Sequence, residues 1–272
     1  MEQINAKSIF SPATGFIARG GFDWTCNPYL GCTFACSYCY AAFLPQNRRP
    51  VEDWGKWISA KVNAVELARK HGPKLAGRTL YMSSVTDPYV PAERSLCLTR
   101  GILEVLVPHQ PRLLIQTRGP LVVRDIDLLA RFMALRVNVT IPTDDEEVKA
   151  AFEPKAPPLE RRWQALADLA AEGIAVGVCV TPMLPLRDPA AFVERIASLR
   201  PAVVVAQHFH DAGKGFGADT GQRAKDLLRS RDWTEADYRA CVEQMRRRMP
   251  VYEAEAGFFP PPLAAGIRPV RE

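Results

Sequence analysis

No stretch of this 272-residue chain supplies the run of about 20 apolar residues that a membrane-spanning helix needs, which excludes a helical membrane protein and reads as a soluble chain. No secretory leader opens at Met1, so structural disulfides are not expected and the reading is cytoplasmic. Histidine is scarce, at four residues, and neither an HxxxH pair nor a second CxxC accompanies the cysteines. The four closed ligands of a structural zinc site are therefore missing from the pattern. There is no Walker A loop. The glycine-rich run Gly213-Lys214-Gly215-Phe216-Gly217-Ala218-Asp219-Thr220-Gly221 does not open a helix as a GxGxxG motif does, and it reads as a loop capping the open side of the fold. Internal repeats, low-complexity tracts and linkers are also absent, so one domain over 1–272 is expected. The proline-rich Ala156-Pro157-Pro158 and Pro260-Pro261-Pro262 read as a loop and a tail.

What is present suits one compact enzyme. Hydrophobic residues make up 47% of the chain, enough to bury a full core at this length. A formal charge of +5 is mildly basic and allows a nucleic-acid partner without requiring one. Arginine concentrates at Arg48-Arg49 and Arg246-Arg247-Arg248, with no aromatic residues interleaved as a base-stacking platform would need. Both runs also suit plain solvated faces.

The cysteines carry the chemistry. Three of the seven fall in Cys32-Thr33-Phe34-Ala35-Cys36-Ser37-Tyr38-Cys39, a CxxxCxxC pattern with an aromatic before its last member. That spacing lets one short loop offer thiolates to three corners of an iron–sulfur cube and leaves the fourth iron open to a small molecule. Of the rest, Cys179 sits in an apolar strand-like run and reads as a core residue, whereas Cys26 suits either packing or a role beside the loop.

Strand-like and helix-like segments alternate along the chain. Strands are expected near 22–25 and at 79–82, 113–115, 137–141, 174–180 and 202–206; helices at 51–71, 93–107, 125–134, 159–171 and 189–199. Thr234 to Arg248 reads as a C-terminal helix with Thr234 as its N-cap. Six β/α units imply a parallel sheet with right-handed crossovers. The expected C-terminal strand ends are repeatedly polar: Ser83, Ser84, Thr86 and Asp87; Gln116, Thr117 and Arg118; Thr140 and Thr143; Thr181; Gln207, His208 and His210. In parallel α/β folds those ends line the site.

The CxxxCxxC loop, with Tyr38 as its aromatic, resembles the signature of the radical S-adenosylmethionine (SAM) superfamily. Asn27-Pro28-Tyr29-Leu30-Gly31 before it and Tyr40-Ala41 after it resemble the branch related to spore photoproduct lyase. The resemblance implies an α/β fold, a partial (β/α)6 barrel open on one side. Its core spans about 22–210, with an N-terminal extension and a C-terminal loop and helical segment over 211–272. It implies a [4Fe-4S] cluster on Cys32, Cys36 and Cys39, SAM on the fourth iron, and reductive cleavage to a 5′-deoxyadenosyl radical that abstracts hydrogen from substrate. It further implies an electron donor such as a flavodoxin or ferredoxin.

Under the same resemblance SAM contacts fall to Tyr38, Ser84, Thr86, Asp87, Arg118 and Thr140, with Asp87 for the ammonium and Arg118 for the carboxylate or ribose. The chain departs from the family at Ser83-Ser84-Val85-Thr86-Asp87, where a Gly-Gly-Glu-like segment is usual. Glu153-Pro154 followed by Arg161-Arg162 resembles a pattern of the branch and equally suits an exposed ion pair before a helix. His208 and His210 are candidates for substrate contact or proton donation, or for structural strand-end residues. The hydrogen-donor cysteine of spore photoproduct lyases has no counterpart in 82–87, and Cys97 is a poor replacement. Three readings stay open: a radical SAM enzyme of unknown substrate, a nucleic-acid-directed lyase or modifying enzyme, and a non-catalytic iron–sulfur interaction module.

Overall fold

The computed structural model describes residues 1–45, 47–209 and 222–263. Its strands are β1 (Glu2–Ile4), β2 (Phe10–Pro12), β3 (Trp24–Cys26), β4 (Tyr29–Gly31), β5 (Ile58–Lys61), β6 (Thr79–Met82), β7 (Arg112–Thr117), β8 (Leu135–Thr140), β9 (Val176–Met183), β10 (Val203–His208) and β11 (Val251–Glu253). Eight of them form one sheet in the order β11-β10-β9-β8-β7-β6-β3-β2. Every neighbouring pair in it is parallel except β2 with β3. A small sheet, β1-β5-β4, flanks it.

The six consecutive parallel strands from β3 to β10 are the six units expected, as an open barrel. Their strand bodies are largely apolar on both faces, as suits strands covered on both sides. Ile115, Val137, Val139, Val178, Val180 and Val204 join the helices in the main core. Residues of the opposite parity, Leu114, Cys179, Val203 and Val205, form separate clusters with Phe258 and Phe259 from the C-terminal segment. Arg136 and Asn138 share this interior face. Arg136 donates through Nε to Asn138 Oδ1 (3.0 Å) and through Nη2 to the Phe259 carbonyl (2.8 Å), and its guanidinium stacks 4.6 Å from the Phe259 ring. Arg112 holds the Pro261 carbonyl at 2.9–3.0 Å.

The segment read as a tail therefore packs into the barrel interior, after β11 has added a strand beside β10. Nothing periodic marks so short a strand, and the prolines hide its burial. Across the open side, Arg19 pairs with Glu255 at 2.6 Å, and Phe16 meets Phe258 edge to face.

Several expected elements are shorter or different. The segment 51–71, read as one helix from Trp54, Ile58, Val62 and Val65, is a 3-10 turn (Val51–Asp53), then β5, then a helix over Ala64–His71. The apolar spacing there served a strand and a helix in succession. The helix expected at 93–107 is two, Glu93–Leu96 and Leu98–Leu106, broken where Cys97 takes φ +50°. That expected at 125–134 is only a 3-10 turn over Pro120–Asp125 and a short helix, Ile126–Leu129. Leu159–Ala171 and Pro189–Ser198 are as read, and Thr234 caps Glu235–Arg246 in a reciprocal capping box with Asp237. The basic runs are largely neutralised in place: Arg49 pairs with Glu2, Arg246 with Glu253, Arg247 with Glu243 and Arg248 with Glu194.

Candidate functional site

The cysteine loop follows β4 and is shaped by two glycines and a left-handed alanine. Gly31 sits at φ +76°, where a Cβ would lie 2.6 Å from the Trp57 ring; Ala35 takes φ +58° within the loop. Gly55, at φ +83°, passes so close that a Cβ on it would fall 2.2 Å from the Ala35 Cβ. Segment 152–155 clamps the loop from the other side. The Phe152 carbonyl accepts from Ser37 N (2.9 Å), and the Lys155 Nζ donates to the Gly55 carbonyl (2.9 Å). Gly55→Ala is expected to push the loop outward, lowering stability by about 1–3 kcal/mol through overpacking and positive-φ strain. The checks are a thermal melt and iron uptake on anaerobic reconstitution, both of which should fall.

Cys32, Cys36 and Cys39 open on one cavity of about 540 Å³, and the strand ends form its opposite wall. Ser83, Ser84, Thr86, Asp87, Gln116, Arg118, Thr140, Thr181, Gln207 and His208 all line it. Two of the expected ring do not. Thr117 donates to Asp87 Oδ1 (2.7 Å) and Thr143 to the Pro185 carbonyl (2.6 Å), so both hydroxyls brace loops. His210 and the glycine-rich run 213–221 lie outside the described residues. The rim is aromatic, with Phe16, Tyr40, Trp54, Tyr81, Phe209 and Phe258.

The polar wall is built from interlocking hydrogen bonds. Asn27, marked in the sequence only as part of the run before the cysteine loop, accepts from Ser84 N and Val85 N at 3.1 and 3.3 Å and fixes that turn; Tyr40 donates to the Ser84 carbonyl. Thr86 donates to the Gly31 carbonyl (2.5 Å), tying the turn to the start of the cysteine loop. Buried Asp87 accepts from Tyr89 N, Thr117 Oγ1 and Arg118 N; burial raises its pKa while those donors oppose the rise. Thr140 Oγ1 accepts from Gln116 Nε2 (3.0 Å), whose Oε1 in turn accepts from the Cys179 thiol (3.4 Å). The His208 ring lies 5.2 Å from that of Tyr238.

Glu153 is buried, not exposed. Its Oε1 accepts from Arg118 Nε (2.7 Å) and from the Tyr38 hydroxyl, and its Oε2 lies 2.5 Å from Arg162 Nη2. Burial alone would raise its pKa, but Arg162, Arg118 and the Tyr38 hydroxyl outweigh it and hold the carboxyl at about 2. Arg161, the other half of the pair noted in the sequence, points to an outer surface groove with Glu160 and Asp168.

The donor set fits an iron–sulfur cluster. Burial pushes all three thiols up, while Arg118 pulls Cys36 and Cys39 the other way. Thiolates in so apolar a place need a metal's positive charge in exchange for their protons. Among the described residues no three His, Cys, Asp or Glu side chains gather closely enough for a single ion. The three cysteines share the lining of one cavity. The cavity's size also suits a nucleoside-sized ligand. Of the other cysteines, Cys26 is buried, its thiol pushed up to about 12 by burial, while Cys97 is exposed away from the cavity.

An open, mostly parallel α/β barrel with three cysteines of one loop on its cavity is the class of protein that the fold and site define. Residues 26–198 match the Radical SAM superfamily model, and the chain belongs to that superfamily. A protein of Methanocaldococcus jannaschii is 37% identical over 184 residues, covering 67% of each chain. One of Acidianus two-tailed virus is 33% identical over 174 residues (60% of this chain, 56% of the relative), and one of Mycobacterium tuberculosis H37Rv is 31% identical over 173 (60% and 50%). The chain thus spans between half and two-thirds of the curated relatives it matches.

Among solved structures, spore photoproduct lyase complexed with dinucleoside spore photoproduct superposes with TM-score 0.58 at 15% identity, over 93% of this chain and 82% of that one. Streptococcus suis SuiB bound to precursor peptide SuiA does so with TM-score 0.57 at 12% identity, over 85% and 48%. At such identities the likeness is one of fold. Among the described residues no helix is long and apolar enough to cross a membrane.

Proposed function

We propose that this chain is a radical SAM enzyme in which Cys32, Cys36 and Cys39 hold a [4Fe-4S] cluster and the cavity beside them binds SAM. The observation that carries the reading is the meeting of three thiols from one loop, two buried and that of Cys39 half-buried, with the polar ends of β6, β7 and β8 across a single cavity. When bound, the cluster and SAM supply reductive cleavage and hydrogen abstraction.

The chain's own residues bind and shield. Ser84 and Thr86 present hydroxyls from a turn held by Asn27, and Thr140 adds another from β8. Arg118 offers its remaining N–H groups to a carboxylate. Asp87 contributes charge for an ammonium while bracing the β6–β7 and β7 loops. Tyr38 is held between Glu153 and Phe152, 6.4 Å from the latter's ring. The aromatic rim and Phe258 keep water from a reactive centre. His208 faces the cavity as a substrate contact or proton donor.

The substrate is unassigned. The fold is shared both with a lyase complexed with a dinucleoside spore photoproduct and with a protein bound to a precursor peptide, and the ion-paired arginine runs give no preference to nucleic acid. The test is anaerobic reconstitution followed by reduction with dithionite in the presence of SAM. The expected result is close to four irons and four sulfides per chain and formation of 5′-deoxyadenosine. A cluster that forms without cleavage would favour the non-catalytic module, and bound zinc would overturn the assignment.

A further inference from the structure

Arg118 is held by an unusual amount of buried machinery for a residue at the rim of a cavity. Its Nε is bonded to Glu153 Oε1 (2.7 Å) and its Nη2 to the Tyr38 hydroxyl (3.2 Å), with the guanidinium carbon 5.7 Å from the Tyr38 ring centre. Nη1 has no hydrogen bond among the described residues. The Arg118 side chain is 20% exposed and lies on the cavity, whereas Glu153 and Arg162 behind it are 0% exposed. Arg162 in turn donates to the Thr140 and Pro157 carbonyls at 3.1 and 3.0 Å, so it is fixed to β8 and to the loop before Leu159–Ala171.

One buried carboxylate thus joins three parts of the site: the cysteine loop through Tyr38, β7 through Arg118, and β8 through Arg162. A carboxylate facing two guanidinium groups leaves a surplus positive charge, and the partly exposed member is the one on the cavity. An arginine whose Nε side is already occupied retains its Nη1 edge for one planar anion in one orientation.

Resting on the radical SAM reading, we infer that Glu153 is a positioning residue: it holds Arg118 so that the Nη1 edge forms the subsite for the cofactor's carboxylate, in register with the cysteine loop through Tyr38. Arg162 keeps Glu153 ionised and in place. Glu153 itself touches neither cluster nor cofactor. Arg118, without Glu153, keeps its charge but loses its fixed direction, so cofactor affinity falls while the three cluster ligands stay intact.

The test uses the full-length, anaerobically reconstituted protein and its Glu153→Gln variant, comparing iron content, equilibrium SAM binding before reduction, and the electron paramagnetic resonance spectrum of the reduced cluster with and without SAM. The expected result is full iron content, SAM affinity lowered about tenfold, and a SAM-induced spectral change that needs correspondingly more SAM. Glu153→Asp, which keeps the charge one methylene short, is expected to fall between wild type and Gln. Wild-type affinity and spectrum in the Gln variant overturn the proposal, as does a lowered melting temperature with no change in SAM binding. If the Gln variant does not fold, the Asp variant carries the test: weaker SAM binding on a full cluster supports the proposal and wild-type binding overturns it. Failure of the underlying reading is separate, because wild type itself would then lack iron or form no 5′-deoxyadenosine.

Discussion

Cys36→Ala is expected to give a folded chain that retains no cluster and cleaves no SAM. Cys36 is the middle cysteine of the loop, buried and flanked by backbone already fixed through the Ser37–Phe152 hydrogen bond. Removing one sulfur from a small buried side chain costs stability on the order of 1 kcal/mol, far less than the fold holds in reserve. Its chemical cost is out of proportion to that. A cube gripped at two corners exposes a second iron and is lost, so the iron and sulfide content and the visible absorbance should drop to background, and 5′-deoxyadenosine by at least about 100-fold, well beyond the 10–100-fold that outer-shell changes cause. Cys97→Ala is the control, since that thiol is exposed and lies off the cavity; iron and cleavage should match wild type. Cleavage retained in Cys36→Ala would refute the ligand assignment.

The loop and the barrel were legible for the same reason: both depend on local patterns. Three cysteines within eight residues need no tertiary information, and buried parallel strands such as 112–117 and 203–208 read as continuous apolar runs ending in polar groups. What escaped was non-local. Strands of three or four residues, as at 2–4, 29–31 and 58–61, carry no usable period, and β5 was absorbed into a helical reading because four apolar residues happened to fit that spacing. Asn27 looks like any turn residue until the 84–85 amides are seen pointing at it. Proline-rich 260–262 looks like a solvated tail, yet Arg112 reaches from a strand start to hold the Pro261 carbonyl, and Arg136 holds that of Phe259 just before it. Glu153 and Arg162 stand out in the sequence as a motif, but their burial, and so their energetic weight, is a property of the assembled site alone.

That weight yields the largest stability effect expected for a single substitution. Arg162→Ala removes a fully buried guanidinium that pairs with Glu153 and donates to two carbonyls, leaving Glu153 paired with Arg118 alone among the described residues and the Thr140 and Pro157 oxygens without this donor. Breaking one side of a buried pair costs about 3–5 kcal/mol, mostly because the remaining charge and acceptors stay out of water. Arg162→Met, which restores the packed stem, should recover part of that loss but not the charge. The effect should also depend on pH in a defined direction. In the folded protein Glu153 is held near 2, below the ordinary 4.5, so its ionic contacts contribute fully above about pH 4.5 and are lost as pH falls toward 2. Arg162→Ala removes the stronger of the two positive charges that hold that value down. Denaturant unfolding of wild type and variant should therefore differ most at pH 6–7 and converge as pH drops through the 4.5 to 2 window. A gap that stays constant across the window would mean that Arg162 supports the fold through packing and its carbonyl contacts alone.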